Sequence, residues 1–404
     1  MLESARTTTD CCIAGGGPAG IMLGLLLARQ GVNVMVLEKH ADFLRDFRGD
    51  TVHPSTLEVM HELGLLEGLL QRPHQKLREL GGEIAGRQLM LADFTHLPTH
   101  AAYIALMPQW DFLRFLADEA QKLPNFRLMM GAEVTDLVQK GARTLGVHAR
   151  SAEGDFKVCA RLVVAADGRG SRLRARAGLV TEDLGAPIDV LWLRLSRREE
   201  DGEQLLGHVK AGRLLVLLNR GTYWQCAFII RKGAREAWRR YPIERLRHEV
   251  ARTAPFLADR VSELQSWDDV QSLSVRVDRL KDWASEGLLC IGDAAHAMSP
   301  IGGVGINLAI QDAVATARLL GPALRQGSPS LGALRQVQRR RELPTRLTQT
   351  LQIAVQNRFI ARVLGGSQRG APLLARLLDA SQLARRVSAR IIGLGFLPEH
   401  VGSA

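Results

Sequence analysis

The sequence predicts an α/β fold, with a strand-rich second domain interleaved in the chain and helices at the C-terminal end. Three observations support this prediction. Residues 9–38 follow a strand–helix–strand pattern, three glycine-centred segments each end an apolar, β-branched run, and residues 184–275 are rich in strand patterns. A length of 404 residues with 46% hydrophobic and 24% charged residues is typical of two joined globular domains.

The first glycine segment, GGGPAG, lies inside the predicted strand–helix–strand unit. A right-handed crossover makes the two strands of such a unit parallel. Gly15 permits a tight turn, Gly17 lets backbone N–H groups approach a pyrophosphate, and Gly20 lets the helix pack closely on the strand. The positive end of the helix dipole also favours an anion at this place. The segment therefore predicts a dinucleotide site.

Glu38 narrows the choice of dinucleotide. It ends the second predicted strand, where a carboxylate accepts hydrogen bonds from ribose hydroxyls. A carboxylate there disfavours a phosphorylated ribose, so the unit is predicted to bind FAD or NAD rather than NADP. The predicted cofactor contacts of this unit are Gly15, Gly17, Pro18, Ala19, Gly20, Glu38 and Lys39.

The third glycine segment, GDAAHAMSPIGGVGIN, decides between FAD and NAD. It follows a predicted strand at 288–291, and its glycine run opens a predicted helix at 306–320. Asp293 is suited to a ribityl hydroxyl, and the helix start supplies N–H groups and a positive dipole end for the charge that develops on a reduced flavin. A nicotinamide cofactor needs no such second anchor. The predicted contacts are Gly292, Asp293, Gly303, Val304, Gly305, Ile306 and Asn307.

GGGPAG with Glu38, the middle segment ADGRGS and the third segment together resemble one family. It is the class A, single-component FAD-dependent aromatic monooxygenases of the para-hydroxybenzoate hydroxylase fold, and the resemblance covers residues 10–320. It implies a Rossmann-like FAD-binding domain of the GR2 type with an interleaved β-sheet substrate domain. The expected domains are FAD-binding (1–76, 106–183 and 276–330), substrate-binding (77–105 and 184–275) and C-terminal helical (331–404).

The resemblance also implies roles for single residues. Asp167 would serve both FAD and NAD(P)H, with Arg174 at the family's arginine position. Arg48 would lie beside the flavin pyrophosphate, Gln109 would open the helix that approaches the flavin, and Val134 would contact the adenine through its backbone. The chain has no second GxGxxG unit, so NAD(P)H is expected to bind transiently.

The chemistry that the resemblance implies is oxygen transfer. NAD(P)H reduces FAD, O2 adds at flavin C4a, and the hydroperoxide passes one oxygen to an electron-rich aromatic or otherwise lipophilic substrate. Within this scheme His53 is a candidate acid or base, with a structural histidine as the alternative. Pro300 is expected to direct its carbonyl towards the substrate. Trp192, Tyr223 and Gln225 lie on insert strands and are either substrate contacts or packing residues. His296 is expected to fix its loop.

Charge and cysteine content set further expectations. The net charge is +11, and residues 321–404 hold 13 arginines against three acidic residues. These predicted helices are interpreted as solvated arginine faces, with an interfacial helix on anionic lipid as the alternative and no nucleic-acid partner. Five cysteines without metal-ligand spacing indicate reduced thiols, no metal site and a cytoplasmic location. The protein is expected to be a monomer or a homodimer.

Two other functions remain open on this fold. A flavin-dependent reductase or epoxidase of an isoprenoid-like substrate would suit the basic, leucine-rich C-terminal helices. A non-catalytic flavoprotein that traps an intermediate would keep the same cofactor site without oxygen transfer. The chain contains no Trp-x-Trp-x-x-Ile segment, which disfavours a halogenase.

Overall fold

The computed structural model describes residues 6–44, 51–84, 86–202, 206–210, 212–365 and 373–402. Helices and strands alternate along these residues, as the α/β prediction requires. The strands are β1 (Arg6–Ala14), β2 (Val34–Glu38), β3 (Thr51–Val52), β4 (Gln75–Leu77), β5 (Glu79–Ile84), β6 (Arg87–Asp93), β7 (Ile104–Leu106), β8 (Phe126–Met130), β9 (Glu133–Lys140), β10 (Arg143–Ser151), β11 (Gly154–Ala165), β12 (Thr181–Asp183), β13 (Ile188–Ser196), β14 (Gly207–Lys210), β15 (Arg213–Asn219), β16 (Tyr223–Arg231), β17 (Gln271–Ser274), β18 (Asp278–Leu280), β19 (Ala284–Ser285), β20 (Leu288–Cys290) and β21 (His296–Ala297).

The helices accompany these strands and then continue alone in the C-terminal part. They are α1 (Pro18–Arg29), α2 (Pro54–Glu62), α3 (Leu66–Leu70), α4 (Gln109–Gln121), α5 (Arg172–Arg176), α6 (Arg235–Arg239), α7 (Glu244–Thr253), α8 (Gly305–Gln326), α9 (Leu331–Val355), α10 (Ala361–Leu364), α11 (Leu373–Ala380) and α12 (Gln382–Gly393). A π-helical turn, Gln356–Ile360, joins α9 to α10. The predicted helix at 54–70 is divided into α2 and α3, because Gly64 (φ 70°) ends the first of them.

The larger sheet has eight strands and contains the predicted βαβ unit. Its main path runs β19-β20-β11-β1-β2-β8, and β10 and β9 extend it from β11. The pairs β20–β11, β11–β1, β1–β2 and β2–β8 are all parallel. Parallel strands place their carboxyl ends at one edge of the sheet, and in open α/β folds ligands bind at that edge. Helix α1 is buried over most of its length and contacts α4 and α8.

The second sheet has seven strands in the order β17-β13-β16-β15-β14-β5-β6. They come from two separate stretches of chain, 79–93 and 188–274, which meet where β14 pairs with β5. One face of this sheet carries Trp224, Cys226 and Phe228 of β16 and packs against α7. The alternate residues of β16, which include Tyr223 and Gln225, lie on the opposite face.

The C-terminal helices combine exposed and buried arginines. Arg335, Arg339 and Arg346 of α9 are exposed, as the solvated-face interpretation expects, but Arg341 is 1% exposed and paired with acids. Among the described residues, no helix is both long enough and apolar enough to cross a bilayer. All five cysteines are free, as predicted, and four of them are buried.

Candidate active site

The three glycine segments, distant in sequence, meet at the carboxyl edge of the larger sheet. They follow β1, β11 and β20, which lie side by side. The Ala166 N–H donates to the Ala14 carbonyl at 2.8 Å, and the Ile291 N–H donates to the Ala165 carbonyl at 3.0 Å. The strand order therefore makes one site from segments that are more than a hundred residues apart.

At the glycines of the first segment, a larger side chain would clash with the protein except at Gly17, where a ligand is expected. A Cβ on Gly15 (φ 107°) would lie 2.3 Å from the Ala166 carbonyl oxygen, and one on Gly20 would lie 2.0 Å from the Gly15 carbonyl oxygen. A Cβ on Gly17 would meet no atom within 4 Å. Gly17 precedes α1, with Pro18 at its first position and Ala19 buried behind it. This opening at a helix N-terminus fits a pyrophosphate.

Glu38 ends β2 beside this opening and is buried. Its Oε2 accepts from the Gly16 N–H at 2.8 Å, and its Oε1 accepts from the His40 N–H at 3.1 Å. Burial alone would raise the pKa of Glu38, but hydrogen bonds from His40 and Gly16 lower it below the usual value. The group is therefore an ionised acceptor, as a ribose contact requires. Lys39 follows it and is exposed.

The middle segment carries two buried polar atoms that have no partner among the described residues. Asp167 Oδ2 accepts from the Arg172 N–H at 2.8 Å, whereas no described group bonds to Asp167 Oδ1. Arg169 donates from Nη2 to Asp293 at 3.2 Å, whereas its Nη1 meets no acceptor in the described part of the chain. Buried polar atoms are seldom left without partners, so these two atoms fit a polar ligand at this edge.

Arg174 connects the middle segment to the third. It is 7% exposed and donates to the Arg169 carbonyl at 2.6 Å, to the Ala294 carbonyl at 3.2 Å and to Asp278 at 3.3 Å. All three bonds are to protein groups that support the two loops. Within the structure Arg174 therefore positions the Asp167 and Asp293 loops relative to each other.

A buried charge cluster lies behind the third segment. Asp312 of α8 accepts from the Gly292 N–H at 3.0 Å, and its carboxylate lies 2.6 Å from His296 Nε2 and 3.0 Å from Arg341 Nε. Burial alone would raise the pKa of Asp312, but the charges and hydrogen bonds of these neighbours lower it. His296 thus fixes its loop through Asp312. The sequence reasoning missed Asp312 and Arg341, because nothing in their local pattern identifies the two as partners.

The glycine run before α8 is held by side chains from the β3–α2 region. A Cβ on Gly303 (φ 65°) would lie 2.2 Å from Thr51 Oγ1, and Thr51 donates to the Gly303 carbonyl at 2.9 Å. The Asn307 side chain accepts from the His53 N–H at 2.9 Å and from Thr56 at 2.7 Å, so it holds protein groups. Gly303 and Val304 precede α8, with the Gly303 N–H donating to the Pro300 carbonyl at 3.1 Å, and the N–H groups of Gly305, Ile306 and Asn307 form the first turn of α8 at this edge.

His53 is fully buried at the start of α2. Its Nδ1 lies 2.8 Å from the Ile392 carbonyl and therefore carries the proton, which leaves Nε2 as a buried acceptor for which the described residues supply no donor. Burial lowers the pKa of His53 to about 4, against weaker opposing effects of the Ile392 and Gly302 carbonyls. At neutral pH the ring is an uncharged acceptor beside the glycine run.

The remaining predicted residues lie around this centre. Pro300 is half-buried in the turn before the glycine run, and Gln109 is the half-buried first residue of α4. Val134 lies on β9, whose entry is held by an Ala132 N–H bond to the Glu38 carbonyl at 2.9 Å. Arg48 lies outside the described residues.

The three predicted substrate residues occupy different places on the second sheet. Trp192 is half-buried and packs against the same apolar cluster as Ile301, next to Pro300. Gln225 is buried and accepts from Arg220 at 3.2 Å. The Cζ atom of Arg194 lies 3.9 Å from the centre of the Tyr223 ring. Tyr223 lines a surface cleft of about 410 Å³ together with Glu263 and Asp269. The structure therefore places Trp192 near the turn that carries Pro300 and Tyr223 in the surface cleft.

Comparison with known proteins identifies the family. The family model described as FAD binding domain matches residues 8–350. 6-Methylpretetramide 4-monooxygenase of Streptomyces rimosus is 31% identical over 95% of this chain and 92% of its own length. Rifampicin monooxygenase of Streptomyces venezuelae is 29% identical over 75% of the chain, but the match spans only 62% of that longer protein.

Solved structures show the same fold. The anhydrotetracycline hydroxylase OxyS of Streptomyces rimosus superposes with a TM-score of 0.75 at 24% identity, over 98% of this chain and 78% of that one. The p-nitrophenol 4-monooxygenase PnpA of Pseudomonas putida gives a TM-score of 0.77 at 20% identity, over 96% and 97%. With the geometry of the three glycine segments, these matches show that the chain binds FAD and belongs to the class A, hydroxylating flavin-dependent aromatic monooxygenases.

Proposed function

We propose that this monooxygenase hydroxylates an aromatic, polyketide-like small molecule with NAD(P)H and O2 as co-substrates. The observation that carries the proposal is the match over nearly the whole of 6-methylpretetramide 4-monooxygenase. Relatives named for rifampicin and anhydrotetracycline support the same class of substrate. In this proposal the larger sheet, with residues 1–76, 106–183 and 276–330, binds FAD. The second sheet, with residues 77–105 and 184–275, covers the substrate.

The chain's own residues bind and orient the cofactor. Bound FAD supplies the redox chemistry, because it takes electrons from NAD(P)H and passes them to O2. Glu38 accepts from the ribose, the opening at Gly17 takes the pyrophosphate, and the unpaired atoms of Asp167 and Arg169 take polar groups of FAD or of visiting NAD(P)H. The start of α8 directs N–H groups at the charge that develops on the reduced ring.

The substrate side is predominantly apolar and excludes water. Trp192 and Ile301 pack on one apolar cluster between the second sheet and the turn that carries Pro300. Exclusion of water protects reactive intermediates from side reactions. We propose that His53, uncharged at neutral pH, acts there as a hydrogen-bond acceptor through Nε2, and that the Pro300 carbonyl faces the substrate. The five free cysteines support a reducing, cytoplasmic location. We propose that the protein acts there as a monomer or a homodimer.

The test measures oxygen uptake and flavin content together. Purified protein should be yellow, should oxidise NADPH or NADH slowly alone and should do so faster with a matching compound from a panel of phenolic and polycyclic aromatics. Hydroxylated product should form in proportion to the O2 consumed. Product without O2 uptake would indicate a reductase or a non-oxidative flavoprotein instead. A relative named dialkyldecalin synthase, from Streptomyces rugosporus, makes that control worthwhile.

A further inference from the structure

Helix α9 directs a polar face, rather than an apolar one, into the protein. Its buried residues at helical spacing are mostly polar, and the polar series continues into the π-helical turn. The members are Arg341, Thr345, Thr348, Gln349, Gln352 and Gln356. Burying such groups is unfavourable unless each finds a hydrogen-bond partner, and a packing helix normally buries apolar residues. Their partners therefore reveal what this face does.

Gln352 bonds directly to the turn that carries Pro300. Its Nε2 donates to the Ser299 carbonyl at 3.0 Å and to the Ile301 carbonyl at 2.8 Å, and its Oε1 accepts from the Ser299 N–H at 3.2 Å. Both donors and the acceptor of one carboxamide are used on the two residues that flank Pro300. Gln352 is 4% exposed, so water does not compete for these bonds.

The neighbouring glutamines hold the same segment from either side. Gln349 donates to the Ala297 carbonyl at 3.2 Å and to the Asp278 carbonyl at 2.9 Å, and Gln356 donates to the Ser299 hydroxyl. Gln356 also begins the π-helical turn, a local widening that often marks functional sites in helices. Three glutamines from outside the glycine segment thus hold residues 297–301, two of them through the backbone and Gln356 through the Ser299 hydroxyl.

We propose that Gln352 is a positioning residue of the flavin site, and that Gln349 and Gln356 support it. By fixing both carbonyls that flank Pro300, Gln352 sets the path of the turn and the start of the glycine run. The N–H groups of that run are the groups expected at the flavin ring. The C-terminal helix α9 is then part of the cofactor site, although it lies outside all three glycine segments. This inference rests on the FAD site and not on the substrate class proposed above.

Gln352→Met tests the proposal, because methionine has a similar length and can replace none of the three hydrogen bonds. The matched control is Gln338→Met on the same helix. Gln338 donates to the Lys281 carbonyl at 2.8 Å and accepts from the Trp283 N–H at 2.9 Å, so it holds a loop that does not carry Pro300. Both variants should lower the unfolding temperature.

The readouts need no substrate. FAD is removed and titrated back onto each protein, and the FAD dissociation constant and the visible circular dichroism of the bound flavin are measured. Gln352→Met should raise the dissociation constant about ten-fold over Gln338→Met and change the dichroism, because the lost bonds act on the cofactor-facing turn. Equal dissociation constants and dichroism in the two variants would overturn the proposal. A wild-type protein that holds no FAD would instead contradict the flavin site itself.

Two further variants keep the proposal testable if Gln352→Met does not fold. In Gln352→Glu the carboxylate can accept from Ser299 N–H but cannot donate to either carbonyl until it is protonated. The flavin dichroism should therefore approach that of the wild type as pH falls, and a signal independent of pH counts against positioning. Gln356→Met removes the donor to the Ser299 hydroxyl but leaves that hydroxyl to accept from the Ile301 N–H at 3.3 Å, and it should change the dichroism in the same direction, by less. An unchanged signal there also counts against the proposal.

Discussion

The first and third glycine segments, which we propose bind parts of one cofactor, are held in place in different ways. The first segment is shaped mainly by backbone contacts, since a Cβ on Gly15 or Gly20 would clash with backbone oxygens of the strand–turn–helix unit or of the adjacent strand. One side chain, Glu38 of the same unit, also accepts from its backbone, at the Gly16 N–H. The third segment depends on side chains from elsewhere, with Asp312 of α8 and Gln352 of α9 bonded to its backbone. A local fingerprint and a remotely supported loop therefore share one sheet edge.

The largest effect is expected when a side chain that supports the third segment from outside that segment is replaced. Asp312→Asn removes the carboxylate charge that lies 3.0 Å from Arg341 Nε, and weakens the bonds to Gly292 N–H and His296. Arg341 keeps its second buried acid, Glu399, at 3.5 Å. Removing one partner of a buried ion pair costs about 3–5 kcal/mol, and because Glu399 remains we expect a loss near the lower end of this range in the free energy of unfolding. Urea unfolding measures it.

The control for this variant is Asp155→Asn. Asp155 pairs with Arg150 on the exposed β10–β11 hairpin, and surface pairs contribute little. No measurable change in stability is expected there. If Asp312→Asn behaved like Asp155→Asn, the third segment would not depend on the buried cluster.

Within the first segment, Gly20→Ala and Gly17→Ala should separate folding from binding. A Cβ on Gly20 meets the Gly15 carbonyl oxygen at 2.0 Å, so this variant should lose ~3 kcal/mol of stability. A Cβ on Gly17 meets no protein atom, and its extended backbone accepts alanine. Gly17→Ala should therefore keep the unfolding temperature of the FAD-free protein but weaken FAD binding. Equal effects of the two substitutions on both quantities would contradict the division of roles.

His53 adds a pH dependence on the side of the third segment, because its N–H donates to Asn307 at the start of α8. Its pKa is about 4 in the folded protein against 6.5 for an ordinary histidine, so the unfolded chain binds a proton that the folded one does not. Stability should fall by about 3 kcal/mol as pH decreases from 6.5 to 4 and should lose no more from this group below pH 4. The variant His53→Gln should lack this part of the pH profile. An identical slope in both proteins would show that other groups cause it.

The smallest effect is expected on the outer face of α9. Leu343, Leu347 and Leu351 are 53%, 40% and 42% exposed and form a stripe opposite the polar inner face. Leu347→Gln should change the free energy of unfolding by less than ~0.5 kcal/mol, in contrast to changes at Gln352 on the inner face. Chemical unfolding tests this, and co-sedimentation of the wild type with anionic vesicles tests the alternative of an interfacial helix. Binding lost in Leu347→Gln would favour that alternative.

Local patterns were sufficient for much of the fold. The strand–helix–strand unit, the helix that begins at Pro54 and its end near Gly64 follow from apolar periodicity and from glycine and proline positions. Local patterns did not indicate that residues 77–105 and 184–275 join in one domain, which was expected only from the family resemblance, and the pairing of β14 with β5 is seen only in the tertiary structure. The interpretation of the C-terminal helices as solvated faces was incomplete, since a sequence does not show that a polar helix face will meet unpaired backbone groups in the interior.

The candidate site divides along the same line. The glycines and Glu38 could be found from sequence because they follow the dinucleotide-binding pattern, in which glycines and an acidic residue recur at characteristic spacing. Arg169, Asp312 and Gln352 could not, because they belong to no such pattern and only the fold shows which loops they bond. For Trp192 and Tyr223, the alternation along a strand predicts which face of the sheet each side chain occupies but not which residues it contacts. The structure places Trp192 near Ile301 and Tyr223 in the surface cleft.

By itself the sequence determined the cofactor class and the family of this protein. The turn that binds a dinucleotide requires backbone conformations and close contacts that only glycine at fixed spacing allows. The tertiary structure decided how the three segments come together and which side chains support the third of them. Parallel strand order placed β20, β11 and β1 side by side, and the buried polar side chains of α8 and α9 bond to the backbone of the third segment, at Gly292 and at the turn that carries Pro300. Both depend on distances through space, which spacing along the chain does not contain.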